Sequence, residues 1–140
     1  MKFIKISNKK PPQWILDKVK EKWGVEWESN TVFTYGDLIT TYHGKMTEDL
    51  RSHEGLHVTQ QKEFPGGPEA WWKKYLDDDE FRFDQELAAY RKQYNWLKSN
   101  KSRGEVYMYL NHYAKCLSGE MYGSMVDEKK AMRLITGDVL

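Results

Sequence analysis

The apolar positions of the chain change period along its length. Residues 2–7 read as a short strand. Pro11-Pro12 then opens a stretch with Trp14, Ile15, Val19 and Trp23 at helical spacing that stops at Gly24. Proline suits the first turn of a helix and glycine its C-terminus. Val32-Phe33-Thr34-Tyr35 and Leu38-Ile39-Thr40-Thr41-Tyr42 are strand-like runs about the turn pair Gly36-Asp37, which predicts a hairpin. Thr47 is placed to cap a helix, and Glu48 and Asp49 suit the positive end of its dipole. That helix runs through Leu50, His53, Leu56, His57 and Gln60 until Phe64-Pro65-Gly66-Gly67-Pro68 breaks it.

Downstream the period is helical throughout. Residues 71–76 form a short amphipathic segment. The acidic run Asp77-Asp78-Asp79-Glu80 reads as a helix start, since it lacks the spaced ligands and turn glycine of a calcium loop. Phe81, Phe83, Leu87, Tyr90, Tyr94 and Leu97 line the apolar side of a helix ending near Ser99-Asn100. Residues 101–104 are a polar connector, 105–116 a helix rich in Tyr and Met, and 126–136 a last helix ending at Gly137 after the interruption at Ser118-Gly119. The expected fold class is α+β: mostly helical, with a small sheet or hairpin before the helix that carries residues 53–57. A chain of 140 residues fits one domain, taken as 1–140.

Composition narrows the classes. The net charge is +1 with no basic stripe, so nucleic acid is not an implied partner. The six Trp, nine Tyr and five Phe read mainly as core and groove packing. The single cysteine, Cys116, excludes an internal disulfide and falls in an apolar helical context, as a core residue rather than a nucleophile. The N-terminal residues are too interrupted for a signal segment, and no apolar run approaches the ~20 residues of a membrane span. A soluble protein of a reducing compartment, the cytoplasm, is expected.

The chemistry lies in His53-Glu54-Gly55-Leu56-His57, the HExxH pattern of zinc-dependent peptidases. On a helix, residues i and i+4 are about 40° apart on one face, with β-carbons about 6 Å apart. Two imidazoles so placed can bind one Zn²⁺, and Glu54, turned slightly off their axis, can act as general base toward a water activated there. A catalytic site takes a third protein ligand. The extended HExxHxxGxxH pattern is absent, since Gln60 and Glu63 stand where its glycine and third histidine would be. Candidates downstream are Glu80, Asp84, Glu86, Glu105 and His112. Glu86 is preferred, because an acid flanked by Leu87 and Ala88-Ala89 on a packing face is costly unless paired or metal-bound. The alternative is an exposed Glu on an amphipathic helix. For the oxyanion of amide hydrolysis, His112, Tyr113 and Tyr122 are side-chain candidates. Tyr122 ranks first, because the small-residue segment 119–123 would present its phenol rather than bury it. His43, just after the second strand-like run, reads as a turn residue.

HExxH followed by a glutamate on a second helix resembles the gluzincin group of zinc metallopeptidases. More closely, the chain resembles small zincin-like proteins of phages and bacteria. The matching pieces are Phe33-Thr34-Tyr35-Gly36-Asp37, the HExxH helix with Val58-Thr59-Gln60-Gln61, Glu86 with Ala89-Tyr90, and Leu117-Ser118-Gly119 with Tyr122-Gly123. Together they cover roughly residues 32–125. The resemblance implies a zincin-like domain with His53, His57 and Glu86 as zinc ligands and Glu54 as the base. It departs where the family often has an Asp four residues beyond the third ligand. Tyr90 stands there, a candidate to accept a hydrogen bond from a ligand imidazole. The resemblance implies a peptide or protein substrate, which the strand at 38–42 would receive by strand addition. The alternative is a zincin-fold structural or interaction protein, a virion or assembly component that keeps a zinc site and binds a protein partner. Neither reading involves nucleic acid or a membrane.

Overall fold

Each stretch marked by the polarity pattern folds as an element, with shifts at the ends. The structure, a computed structural model, describes residues 4–137, so the start of the strand expected over 2–7 lies outside the described residues. Contacts divide the chain into two compact units, Met1–Asp77 and Asp78–Leu140. The architecture is α+β and mostly helical.

The first unit contains β1 (Lys5–Ser7), α1 (Gln13–Trp23), β2 (Phe33–Tyr35), β3 (Leu38–Thr40), α2 (Glu48–Glu63) and α3 (Gly67–Asp77). Helix α1 begins after Pro12 and ends at Gly24, whose φ of 68° is left-handed and lets its N–H cap the last turn. The three strands form one mixed sheet in the order β1-β3-β2. Strand β3 is parallel to β1 and antiparallel to β2. The strand expected to run to Tyr42 stops at Thr40. The Thr41 hydroxyl oxygen accepts hydrogen bonds from the N–H groups of Gly44 (2.8 Å) and Lys45 (3.2 Å), which turns the backbone away from the ladder.

This topology overturns one expectation. Strand β3 was to offer an edge to substrate, but it is central, paired on both sides.

Thr47 occupies the N-cap position of α2, but its side chain makes no capping bond, and Glu48 and Asp49 supply the negative charge at that end. The buried face of α2 is Asp49, His53, Glu54, His57, Val58 and Gln61. A hydrophobic period is therefore nearly absent from a helix that is nonetheless packed, because it buries polar side chains. Helix α3 starts earlier than expected, at Gly67, and buries Trp71, Trp72, Tyr75 and Leu76.

The second unit contains α4 (Asp79–Asn100), α5 (Arg103–Leu117) and α6 (Glu128–Thr136). The acidic run is a helix start, as expected: Asp78 accepts a hydrogen bond from the Phe81 N–H at 2.9 Å. Helix α5 starts inside the expected connector, because Ser102 and Glu105 form a reciprocal capping box. Leu97, Leu110, Leu117, Ala131 and Ile135 centre a core to which Phe83, Tyr90, Tyr113 and Tyr122 add their rings. The buried stripe of α4 contains Phe83, Tyr90 and Leu97 of the apolar side read from sequence, with Leu87 and Tyr94 partly buried against the same core, and it also takes in polar residues that the reading left out. It holds Arg82, Glu86 and Gln93 beside Phe83, Ala89, Tyr90 and Leu97. Arg82 is satisfied there by the Met121 carbonyl at 2.6 Å and by an ion pair with Asp79. No described helix is long and apolar enough to cross a membrane.

Candidate metal centre

Helix α2 brings His53 and His57 onto one face, as the i, i+4 spacing requires, with ring centroids 5.0 Å apart and the rings edge to face. His57 is fixed on two sides. Its ring lies 5.4 Å from that of Trp71, which itself stacks on Tyr75 at 4.8 Å. Its Nδ1 is 2.7 Å from Gln60 Oε1. An amide oxygen only accepts, so in this contact Nδ1 is the donor, and Nε2 is the nitrogen that would offer its lone pair to a metal. Such a bond fixes both the tautomer and the orientation of a ligand histidine.

Glu54 is buried beside them. Its Oε1 accepts a hydrogen bond from the Thr34 hydroxyl at 2.8 Å, and its Oε2 lies 3.8 Å from His53 Nε2. Thr34 is in turn held by its backbone. Its carbonyl accepts from Gln61 Nε2 at 2.7 Å and from Trp72 Nε1 at 2.8 Å. Gln61 also accepts the Gly36 N–H on its Oε1 at 2.8 Å. One side-chain amide of α2 thus bonds a carbonyl and the N–H two residues on, as a neighbouring strand would.

Glu86, on α4, is 5% exposed. One donor atom from each of His53, His57 and Glu86 lies within 4.8 Å of the other two. These three buried residues could hold a metal ion, and two imidazole nitrogens with one carboxylate oxygen form a donor set used by catalytic zinc. The rival third ligands are all exposed: Glu80, Asp84, Glu105 and His112. Glu105 is occupied in the α5 capping box, and His112 Nε2 lies 3.7 Å from Cys116 Sγ.

The expectation for Tyr122 is not met. Segment 119–123 does not present its phenol; the residue is 9% exposed, and its ring belongs to the second unit's core. The cause is local: Glu120–Tyr122 form a single 3₁₀ turn capped by left-handed Gly123, which leaves Tyr122 on the inner side. Tyr113 is also buried, its ring 5.3 Å from that of Tyr90. Tyr90 shares a side-chain hydrogen bond with Tyr122, and burial raises its phenol well above the ordinary tyrosine range, with Tyr122, the Glu86 charge and Cys116 adding to the shift. Burial likewise raises the Cys116 thiol, partly offset by a hydrogen bond with Tyr90. A thiol shifted that way is a poor nucleophile, in keeping with a packing role. His43 is exposed in a turn, its N–H bonded to Asn30 Oδ1 at 3.1 Å.

Three residues that serve the site escaped sequence reasoning. Gln60 was legible in principle, standing i+3 from His57 on the same helix. Thr34 and Gln61 act across the first unit on partners far away in sequence, and no local spacing marks them. Comparison with family models, with curated proteins and with solved structures gives no match.

Proposed function

We propose that the chain is a zinc-dependent peptide-bond hydrolase in which His53, His57 and Glu86 hold the ion and Glu54 is the general base. The single observation that carries this reading is the buried His-His-Glu group, next to a carboxylate that is itself buried and held by a hydroxyl. A purely structural His-His-Glu site has no use for Glu54 at that position. When bound, the metal supplies Lewis acidity toward water and a scissile carbonyl. Glu54 works through its two oxygens unequally: Oε1 is engaged by Thr34, which leaves Oε2 to accept a proton from water and later deliver it to the leaving amine. Gln60 keeps the proton of His57 on Nδ1. The substrate class is a peptide or protein, and the compartment is read as cytoplasmic because a lone thiol suits a reducing environment.

A second reading, a zincin-like structural or assembly component, draws on the outer side of α5, where Tyr107 is 62% and Met108 70% exposed. Aromatic and Met side chains are enriched at protein interfaces.

Metal analysis and peptide hydrolysis separate the two. Protein purified without added zinc is expected to carry one equivalent, lost in His53→Ala and in Glu86→Gln. Hydrolysis of a peptide library is expected from the parent chain and not from Glu54→Gln, which should keep the metal. Full metal in His53→Ala sinks the site. Metal retained with no Glu54-dependent hydrolysis leaves the assembly reading.

A further inference from the structure

Two of the three strands have no edge to offer. Strand β3 is central, and the outward carbonyl of β2, Thr34 O, is taken by Gln61 and Trp72. Strand β1 differs. In its parallel pairing the Lys5 N–H donates to the Asp37 carbonyl at 2.9 Å, and the Ser7 carbonyl accepts from the Thr41 N–H at 3.1 Å. Residues 5 and 7 therefore face β3, and alternation turns the N–H and C=O of Ile6 away from the sheet. An outward pair of this kind is a template for another strand.

The surroundings give the template a charge. An open groove of about 610 Å³ lies against β1, lined by Lys5, Ile6, Ser7, Lys9, Asp37 and Leu38. Lys5 and Lys9 are exposed and outnumber Asp37. Before Asp17 the sequence carries four lysines and no acid. Lysines on an edge are a device against self-pairing, since two copies meeting there would bring like charges together. The same charges attract an acidic chain.

We propose that the outer edge of β1 accepts an extended acidic segment of a partner protein as a fourth strand. Main-chain bonds to Ile6 supply the pairing, and Lys5 and Lys9 select the sign of the incoming side chains. The surface stands independently of the metal reading, because none of its residues belongs to the metal group.

The probe is a fluorescently tagged Glu-Val-Glu-Val-Glu-Val-Glu peptide with blocked ends, titrated with the full chain at low ionic strength and followed by anisotropy. It should bind at least about tenfold more tightly than its Lys-for-Glu counterpart, and Lys9→Glu should weaken it about tenfold. Methylating the peptide's backbone nitrogens on one edge should cost a similar factor. Ile6→Pro removes the outward N–H and no ladder bond, and should do the same. Lys9→Glu changes only an exposed side chain, so the test holds even if the proline variant folds poorly. Equal affinity for the acidic and basic peptides overturns the proposal. So does indifference to N-methylation, which would mean charge attraction without strand pairing. A dimer in sedimentation equilibrium that Ile6→Pro dissolves also overturns it, assigning the edge to a second copy.

Discussion

Gln61→Leu tests the idea that one side-chain amide substitutes for a strand at the edge of β2. Gln61 is 0% exposed, so water cannot replace it. Leucine fills a similar volume, and the loss is therefore in hydrogen bonding rather than packing. Two bonds go. The Thr34 carbonyl keeps its bond from Trp72 Nε1, so that loss costs about 1 kcal/mol. The Gly36 N–H loses the partner it had at 2.8 Å, at about 1–3 kcal/mol for a half-buried donor. The sum is about 2–4 kcal/mol, or roughly 6–15 °C in melting temperature for a chain of this size. Trp72→Phe removes the other donor to the same carbonyl and alone should cost about 2 kcal/mol, bond and lost ring contact together. In the double variant the Thr34 carbonyl has neither donor, so the two losses should exceed additivity by about 1–2 kcal/mol. Urea denaturation of the four proteins at 25 °C measures the cycle. Additivity within about 0.5 kcal/mol, or a Gln61→Leu loss below about 1 kcal/mol, refutes the shared-acceptor account.

Gln60→Leu leaves His57 in place but removes the acceptor of its Nδ1 proton. Metal affinity, measured by competition with a chromophoric chelator, should fall about 10–100-fold, and an unchanged constant would show that the tautomer is fixed elsewhere. Tyr90 sets an alkaline limit. Its folded phenol titrates above the ordinary value of 10.0, so the unfolded chain releases that proton first. The contribution is intact below about pH 10 and lost as pH rises toward the folded value. Tyr90→Phe should therefore show a shallower loss of stability above about pH 10 than the parent, and parallel profiles would contradict the assignment. Ser102→Ala breaks the capping box of α5 and should cost about 1 kcal/mol in thermal unfolding. A loss within a few tenths would mean that the helix start is held by packing alone.

Much of the fold was legible because its punctuation is local. Gly24 and Gly137 end helices, Pro12 opens one, and Gly36 turns the hairpin, and each acts through its own backbone. Ser102 and Glu105 were equally local and still escaped, because a polar run was read as a connector when it held a cap. Strand order was not legible. β1 and β3 are parallel neighbours separated by α1 and β2 in the chain, and nothing in either short strand encodes which side the other takes. The placement of the histidine pair, with Glu54 beside it, was legible because i, i+4 spacing is a property of any helix. Glu86 could be preferred over Asp84 and Glu80 through its Ala-Leu surroundings, and it alone of these is buried. Tyr122 misled because small neighbours were taken to mean exposure, whereas here they let a tight 3₁₀ turn carry the ring inward.

The closed edge of β2 and the fixed Glu54 carboxylate have one cause. Thr34 can keep its hydroxyl on Glu54 only if its backbone does not move, and in a strand as short as Phe33–Tyr35 the ladder to β3 anchors the flanking residues rather than Thr34 itself. Its own carbonyl points outward and would be free in a bare edge strand. Gln61 and Trp72 hold that carbonyl from α2 and α3. Gln61 lies two helical turns beyond Glu54 on α2, so the helix that carries Glu54 also carries the clamp that steadies its hydrogen-bond donor. An incoming strand on β2 would have to displace both donors, exposing a buried glutamine and loosening the residue whose hydroxyl holds Glu54. With β2 closed and β3 central, the outer edge of β1 is the one that the proposed partner strand would take. The Ile4 Cδ1, on the residue just before β1, comes within 3.9 Å of where a Cβ on Gly55 would stand, so the chain entering β1 packs its side chain against the turn of α2 that carries Glu54.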